Sequence, residues 1–238
     1  MSSSASEATS CKGRAVLPAA LIFDMDGVLV DSEGLHERAK RAALQDAGLA
    51  LPEERFAAYI GRSDKAMIDD VAAEFSLSAA QSAELQRQKN AFYEAGECTL
   101  QLVEGALEFL SWSYRHFRLA LATSATARNR KSLMQRFALE SFFEVMVDAA
   151  QFDAPKPSPE VFEITLKELG LAGASCWVIE DSINGIIAAK LAGCFAVGIT
   201  TSFSSEALAK AGADLVVESF AQLQSQLAGA PLRFSKSG

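Results

Sequence analysis

Two carboxylates stand two residues apart in Asp24-Met25-Asp26-Gly27, directly after the apolar run Leu21-Ile22-Phe23. Leaving the end of a strand, such a pair can converge on one point, and Gly27 lets the chain turn sharply after it. Charge at the end of an apolar strand is costly unless it is used. Three other stretches offer complementary groups. Thr123-Ser124 supplies a hydroxyl and adjacent backbone N–H groups suited to a phosphate oxygen. Ala154-Pro155-Lys156-Pro157 holds a lysine between two prolines that fix its backbone. Glu180-Asp181-Ser182, followed by Asn184-Gly185, adds a second acidic pair. Each stretch alone is weak: an acidic pair is usually solvated surface or a helix cap, a single lysine usually surface, a single threonine usually structural. Jointly they provide acidic metal ligands, a nucleophile, a hydroxyl and one cation.

Such groups meet only if the chain brings strand ends together. Short apolar or β-branched runs at 21–24, 119–123, 145–148, 177–181, 195–200 and 215–217 each have the length of a buried parallel strand. Helix-period segments such as 159–169 and 184–191 lie between most of them. Ser158-Pro159-Glu160 reads as an N-cap with proline at the first helical position. Gly170 and Gly193 sit where helices should stop. Strands alternating with helices predict an α/β fold, a Rossmann-like doubly wound parallel sheet. Its ligands bind outside the carboxyl ends of the strands, where all four stretches fall. Residues 35–102 break the rhythm. They contain no convincing strand, and 36–47, 52–59, 64–75 and 79–93 read as helices, an all-helical insertion after the first strand.

Composition narrows the partners. The chain has 238 residues, 50% hydrophobic and 22% charged, an ordinary globular balance. A net charge of −8 argues against nucleic acid or an anionic membrane, both of which need a basic face. An anionic small molecule would have to be met locally, by a metal or a few placed cations. The four cysteines form no CxxC pair and are expected to be reduced, mostly buried thiols, not a zinc site. No apolar run approaches a membrane span. The Ser- and Ala-rich start, residues 1–18, reads as a disordered tail, with an organelle transit peptide as the alternative. A cytoplasmic monomer or weak dimer is expected.

The four stretches together are recognisable. Asp24-Met25-Asp26-Gly27-Val28-Leu29-Val30-Asp31-Ser32-Glu33, then Leu121-Ala122-Thr123-Ser124, then Lys156-Pro157-Ser158-Pro159, then Ile179-Glu180-Asp181-Ser182 with Asn184-Gly185 resemble, in order, the motifs of the haloacid dehalogenase superfamily, in its β-phosphoglucomutase-like phosphatase branch. The resemblance spans about 21–221. It implies that Asp24 attacks phosphorus to form an aspartyl-phosphate, while Asp26 protonates the leaving oxygen and later activates water. It implies Mg²⁺ held by Asp24, the carbonyl of Asp26 and Asp181, with Glu180 alongside. Thr123 and Lys156 would bind the phosphoryl group, with Ser124 and Asn184 near the substrate. For Asp26 to act as an acid, a raised pKa is expected. Dehalogenases of the superfamily lack the second aspartate of the first motif, so Asp26 argues against carbon attack. A non-catalytic relative would have lost the nucleophile or metal ligands, which are retained.

The resemblance divides the chain into an α/β core, residues 19–34 and 103–228, a helical cap, residues 35–102, and a C-terminal tail, residues 229–238. The cap should choose the substrate. His36 falls where the mutase subgroup links closure to proton transfer; otherwise it is an ordinary polar helix residue. Gly61-Arg62-Ser63 resembles the cap loop, where Arg62 could grip an anionic or hydroxyl-rich group. Lys89 aligns with a substrate-contacting position, or is an exposed helix lysine. None of Lys40, Lys65 and Lys89 is marked as a Schiff-base lysine. Arginine precedes serine in this loop, the reverse of the mutase pattern, so a phosphatase acting on a small phosphorylated metabolite, such as a sugar phosphate, is favoured over a sugar-phosphate mutase.

Overall fold

A computed structural model describes residues 17–49, 51–57, 59 and 64–229. The expected tails lie almost wholly outside these residues. Six strands form one parallel sheet: β1 (Ala20–Phe23), β4 (Arg118–Ala122), β5 (Val145–Val147), β6 (Cys176–Glu180), β7 (Phe195–Ile199) and β8 (Leu215–Val217). Their order is β5-β4-β1-β6-β7-β8, and every pairing is parallel. The chain therefore winds outward from β1 in one direction, returns, and winds outward in the other. The reversal opens a crevice at the carboxyl end of β1. Five of the six expected strands end one residue early. Asp24, Thr123, Asp148, Asp181 and Thr200 are thus the first residues past their strands, where a side chain is available to a site.

Alternation along the strands builds two separate apolar layers. Leu21 and Phe23 face helices α5 (Ala106–Ser113), α6 (Ala127–Arg136) and α10 (Phe220–Ala228), packing with Phe109, Leu133 and Phe220. Ala20 and Ile22 face α7 (Glu160–Leu169), α8 (Ile183–Leu191) and α9 (Ser205–Lys210), packing with Phe162, Ile186 and Leu208. Gly170 ends α7 with φ +65° and Gly193 follows α8 with φ +74°, as their positions predict. Helix α7 begins at Glu160, not at Pro159. Pro159 is the cap residue, and the Ser158 hydroxyl only accepts a long bond from the Glu160 N–H.

Among the described residues, four α-helices form the insertion: α1 (Glu33–Asp46), α2 (Glu53–Ala57), α3 (Asp64–Phe75) and α4 (Ala79–Gly96). They bury their own apolar centre, with Leu44, Phe56, Met67, Val71 and Leu85. Helix α4 starts with a capping box in which Ser78 and Gln81 satisfy each other's backbone N–H groups. The chain enters through β2 (Val30–Asp31) and leaves through β3 (Gln101–Leu102), which pair antiparallel. Two-residue strands carry no readable alternation, so no strand was expected at 101–102.

Leu121 is fully buried in β4, whereas Leu191 at the end of α8 is 63% exposed. Leu121→Ala should cost about 2–5 kcal/mol through lost burial and a cavity. Leu191→Ala should stay within about 0.5 kcal/mol. Urea midpoints of the two variants, compared with wild type, check this.

Candidate active site

The site grows from the end of β1. The Asp24 N–H donates to the Ile179 carbonyl at 3.1 Å, extending the pairing with β6 and fixing where the carboxylate leaves the sheet. Four residues later the chain has turned back: the Leu29 and Val30 N–H groups both reach the Met25 carbonyl, and the Gly27 N–H reaches Val30 O at 2.8 Å. Gly27 has φ +71°, and a Cβ there would overlap the Asp181 carboxylate. Glycine is therefore required twice, for the turn and for the approach of this loop to β6. Beyond β7, the Thr201 hydroxyl donates to Gly27 O at 2.5 Å and the Ser202 hydroxyl donates to Asp181.

Lys156 reaches into this crevice from the loop after β5. Its Nζ lies 2.7 Å from Asp24 Oδ1, 2.5 Å from Glu180 Oε1 and 3.4 Å from Ala122 O, above the Phe162 ring. The Lys156–Pro157 peptide is cis. Glu180 is only 1% exposed, and its other oxygen accepts from the Asp181 and Ser182 N–H groups and the Ser182 hydroxyl. Gly185 makes room for it, since any Cβ there would overlap the Glu180 carboxylate. Thr123 is fully buried, and its Oγ1 accepts from the Ala125 N–H at 3.0 Å, which shapes the turn after β4. Ser124 is exposed beside it, and Asn184 is half-buried in the first turn of α8.

One lysine faces three buried carboxylates. Burial, with repulsion from Glu180 and Asp26, outweighs the pull of Lys156 and pushes Asp24 up to about 7. Burial and the charges of Glu180 and Asp24 raise Asp181 well above the carboxylate range. Lys156 is held above its ordinary value, because attraction by Asp24 and Glu180 overcomes the burial penalty. An arrangement with surplus negative charge and hard oxygen donors fits a small divalent cation such as Mg²⁺. Among the described residues no group of three acidic, His or Cys side chains forms a metal cage. Asp24 and Asp181 are the buried carboxylates beside Lys156 and Glu180 that could contribute to holding such an ion.

The insertion supplies the opposite wall. Asp26 Oδ1 accepts from the Ser32 hydroxyl at 2.6 Å and lies 3.4 Å from His36 Nε2. Burial works to raise Asp26, but its hydrogen bonds to His36 and Ser32, with the charge of Lys89, hold it below its usual value. The raised pKa expected from the sequence is therefore not found: Ser32 and His36 bond the carboxylate and so favour its charged form. His36 stacks on Tyr93 at 4.3 Å between ring centroids. Lys89 is 2% exposed, not a surface lysine, and bonds His36 Nδ1 and Asp64. Arg62 and its neighbours Gly61 and Ser63 lie outside the described residues.

The structure thus gathers Asp24, Asp26, Thr123, Lys156, Glu180 and Asp181 at the strand ends, with His36 and Lys89 across from them. Thr201 and Ser202 were missed, although they follow an expected strand end and the same strand-end rule would have found them. Asp64 was also missed, and Lys40 was weighed only as a Schiff-base lysine. The available signal was a lysine inside an apolar helical stripe: Ala39-Lys40-Ala43-Leu44 on α1, and Leu85-Lys89-Tyr93 on α4.

A family model described as haloacid dehalogenase-like hydrolase matches residues 21–199. A phosphorylated carbohydrates phosphatase of Thermotoga maritima is 32% identical, covering 84% of this chain and 94% of that protein. The β-phosphoglucomutase of Bacillus subtilis is 27% identical over 87% of this chain and 92% of its own length. A hydrolase from Pseudomonas syringae superposes with a TM-score of 0.79 at 25% identity, covering 89% of this chain and 98% of that one. With its four motifs in order and its six-stranded sheet, the chain belongs to the haloacid dehalogenase-like hydrolases, in their β-phosphoglucomutase-like branch.

Proposed function

We propose that this chain is a Mg²⁺-dependent phosphatase that hydrolyses a small phosphorylated metabolite, in particular a sugar phosphate, through an aspartyl-phosphate. The observation that carries the reading is Lys156 bridging Asp24 and Glu180 where β1 and β6 end. Phosphoryl transfer demands in-line positioning and neutralised equatorial oxygens more than strong covalent chemistry. Asp24, the Asp26 carbonyl and Asp181 would hold Mg²⁺, with Glu180 behind them. The cation supplies the charge that lets a carboxylate approach an anionic phosphate.

Asp24 attacks phosphorus as the bond to the leaving oxygen breaks, and Asp26, which must first take up a proton from solvent because Ser32 and His36 hold it as the carboxylate, delivers the proton that oxygen needs. In the second step Asp26, again a carboxylate, takes a proton from water as the water attacks phosphorus and releases Asp24. Lys156 neutralises an equatorial oxygen, while Thr123, Ser124 and Asn184 line the phosphate side. Lys156 also needs a fixed anchor to act as a point charge, and Glu180, saturated on its other oxygen, provides it. Residues 35–102 act as a cap over the core of residues 19–34 and 103–228, with His36, Lys89 and Arg62 as its candidate substrate contacts. The similarity to a phosphorylated carbohydrates phosphatase supports this substrate class.

Phosphate release should be measured on a panel of sugar phosphates with and without Mg²⁺. Metal-dependent release from one or a few members is expected. Conversion of β-glucose 1-phosphate to glucose 6-phosphate only with a bisphosphate primer, and no release, would instead identify a mutase. Asp24→Asn should abolish turnover with an unchanged circular dichroism spectrum. Asp26→Asn should lower kcat by about 10²–10⁴-fold. Asp181→Asn should raise the Mg²⁺ concentration needed for half-maximal rate.

Mg²⁺ should also raise Tm in a pH-dependent way. Burial and the neighbouring carboxylates push Asp24 up to about 7. Below that pH it carries a proton and competes with metal; above it the buried charge is exposed to repulsion that the cation relieves. The Tm gain should therefore be larger at pH 8 than at pH 5.

A further inference from the structure

Asp64, the first residue of α3, is not used by the phosphoryl-transfer reading, yet it anchors a chain of side chains that ends on Asp26. Its Oδ2 accepts from Lys89 Nζ at 2.6 Å, and its Oδ1 lies 3.8 Å from Lys40 Nζ. Both lysines are buried, at 2% and 4% exposure, in the interior of the helical unit. Lys40 also donates to the Tyr59 carbonyl at 3.4 Å, and Glu33 and Glu37 act on it through space. An ammonium in such a place needs an anionic partner.

Lys89 then touches His36 Nδ1 at 2.9 Å. An ammonium has three donors and no acceptor, so Nδ1 must accept and the ring proton must sit on Nε2. That is the nitrogen 3.4 Å from Asp26 Oδ1. The other tautomer would present a lone pair to the carboxylate, and Tyr93 stacked on the ring holds its plane. We propose that Asp64 is a positioning residue for Asp26: it aims the Lys89 ammonium at His36, and so fixes the His36 tautomer that donates to the Asp26 carboxylate. The consequence for catalysis rests on the acid–base role proposed for Asp26, whereas the tautomer itself does not.

The protein contains only two histidines, His36 and His116, which makes the tautomer directly readable. The experiment is a long-range ¹H–¹⁵N correlation spectrum of the ¹⁵N-histidine-labelled full chain, with His116→Gln for assignment. The wild type should show His36 with a protonated Nε2 and an unprotonated Nδ1. Asp64→Asn should convert this into a mixed or averaged pattern while the His116 signals stay in place. Asp64→Glu, which keeps the charge, should restore it. On the best substrate of the panel, Asp64→Asn should lower kcat by about tenfold with KM changed less than about twofold, and adding His36→Asn should cost little more, because the two act through one contact.

A folded Asp64→Asn protein with an unchanged His36 pattern overturns the proposal. So do kcat losses that multiply independently in the double variant. If Asp64→Asn does not fold, Asp64→Asn with Lys40→Met strands one lysine fewer and is read by the same criteria. An altered tautomer in a chain with no phosphatase activity would uphold the contact chain and sink the phosphatase reading, so the two failures are told apart.

Discussion

Three carboxylates and one lysine, all nearly out of reach of water, meet where β1 and β6 end, and most of the local architecture serves that encounter. Bringing like charges together in a low-dielectric place is unfavourable, and the fold meets the cost with specific contacts. Lys156 spans Asp24 and Glu180. Two backbone N–H groups and the Ser182 hydroxyl converge on the remaining Glu180 oxygen, and Ser202 reaches Asp181 from the loop after β7. Gly27 and Gly185 are small because the carboxylates of Asp181 and Glu180 occupy the space a side chain would fill. The parallel order of the sheet makes this compression feasible, since it sets β4 and β6 on either side of β1 in matching register.

The helical unit is tied to this centre from two directions. From within, Asp26 is shared: its backbone belongs to the turn after β1, while its carboxylate belongs to Ser32 and His36 on the insertion. From outside, one face of α6 grips the exit from α4. Arg128 pairs with Glu94, Ser132 bonds Glu97, and Arg136 donates to the carbonyls of Glu97, Cys98 and Leu100. These residues recur every fourth position, as one helical face requires. Helix α6 starts just after the Thr123 turn, and Arg130 joins it to Asp148 beyond β5. The Thr123 turn and the strap that holds the insertion thus share one element, α6.

Much of this was legible in the sequence because strand-end chemistry is local. An apolar run followed by Asp, Thr or Asp-Ser announces both the strand and the group it delivers, and the six runs at 21–24, 119–123, 145–148, 177–181, 195–200 and 215–217 became the six strands of the sheet. The acidic and basic residues of the core were readable for the same reason. What stayed hidden depends on contacts distant in sequence. Lys40 and Lys89 look like ordinary helix lysines until the packing of α1 against α4 buries them. Asp64 acquires its meaning only from them. The direction of the Asp26 shift also depends on which way its carboxylate turns, and that is decided by Ser32 and His36, not by its own neighbours. The two-residue strands β2 and β3 are too short to announce themselves and exist only because each pairs with the other.

That last pair has a consequence for the energetics of the whole chain. Because β2 and β3 run antiparallel side by side, the insertion is, to the sheet, the loop of a hairpin. The entropy of closing a loop grows only with the logarithm of its length, so extending it from about four residues to about seventy costs only about 2.5 kcal/mol. The helical unit brings its own apolar centre to offset that amount. A sheet built this way tolerates exchange of the whole loop for another of different size or shape without altering the register of its strands. The neck is therefore a point of modularity, where the insertion can diverge while the sheet stays the same.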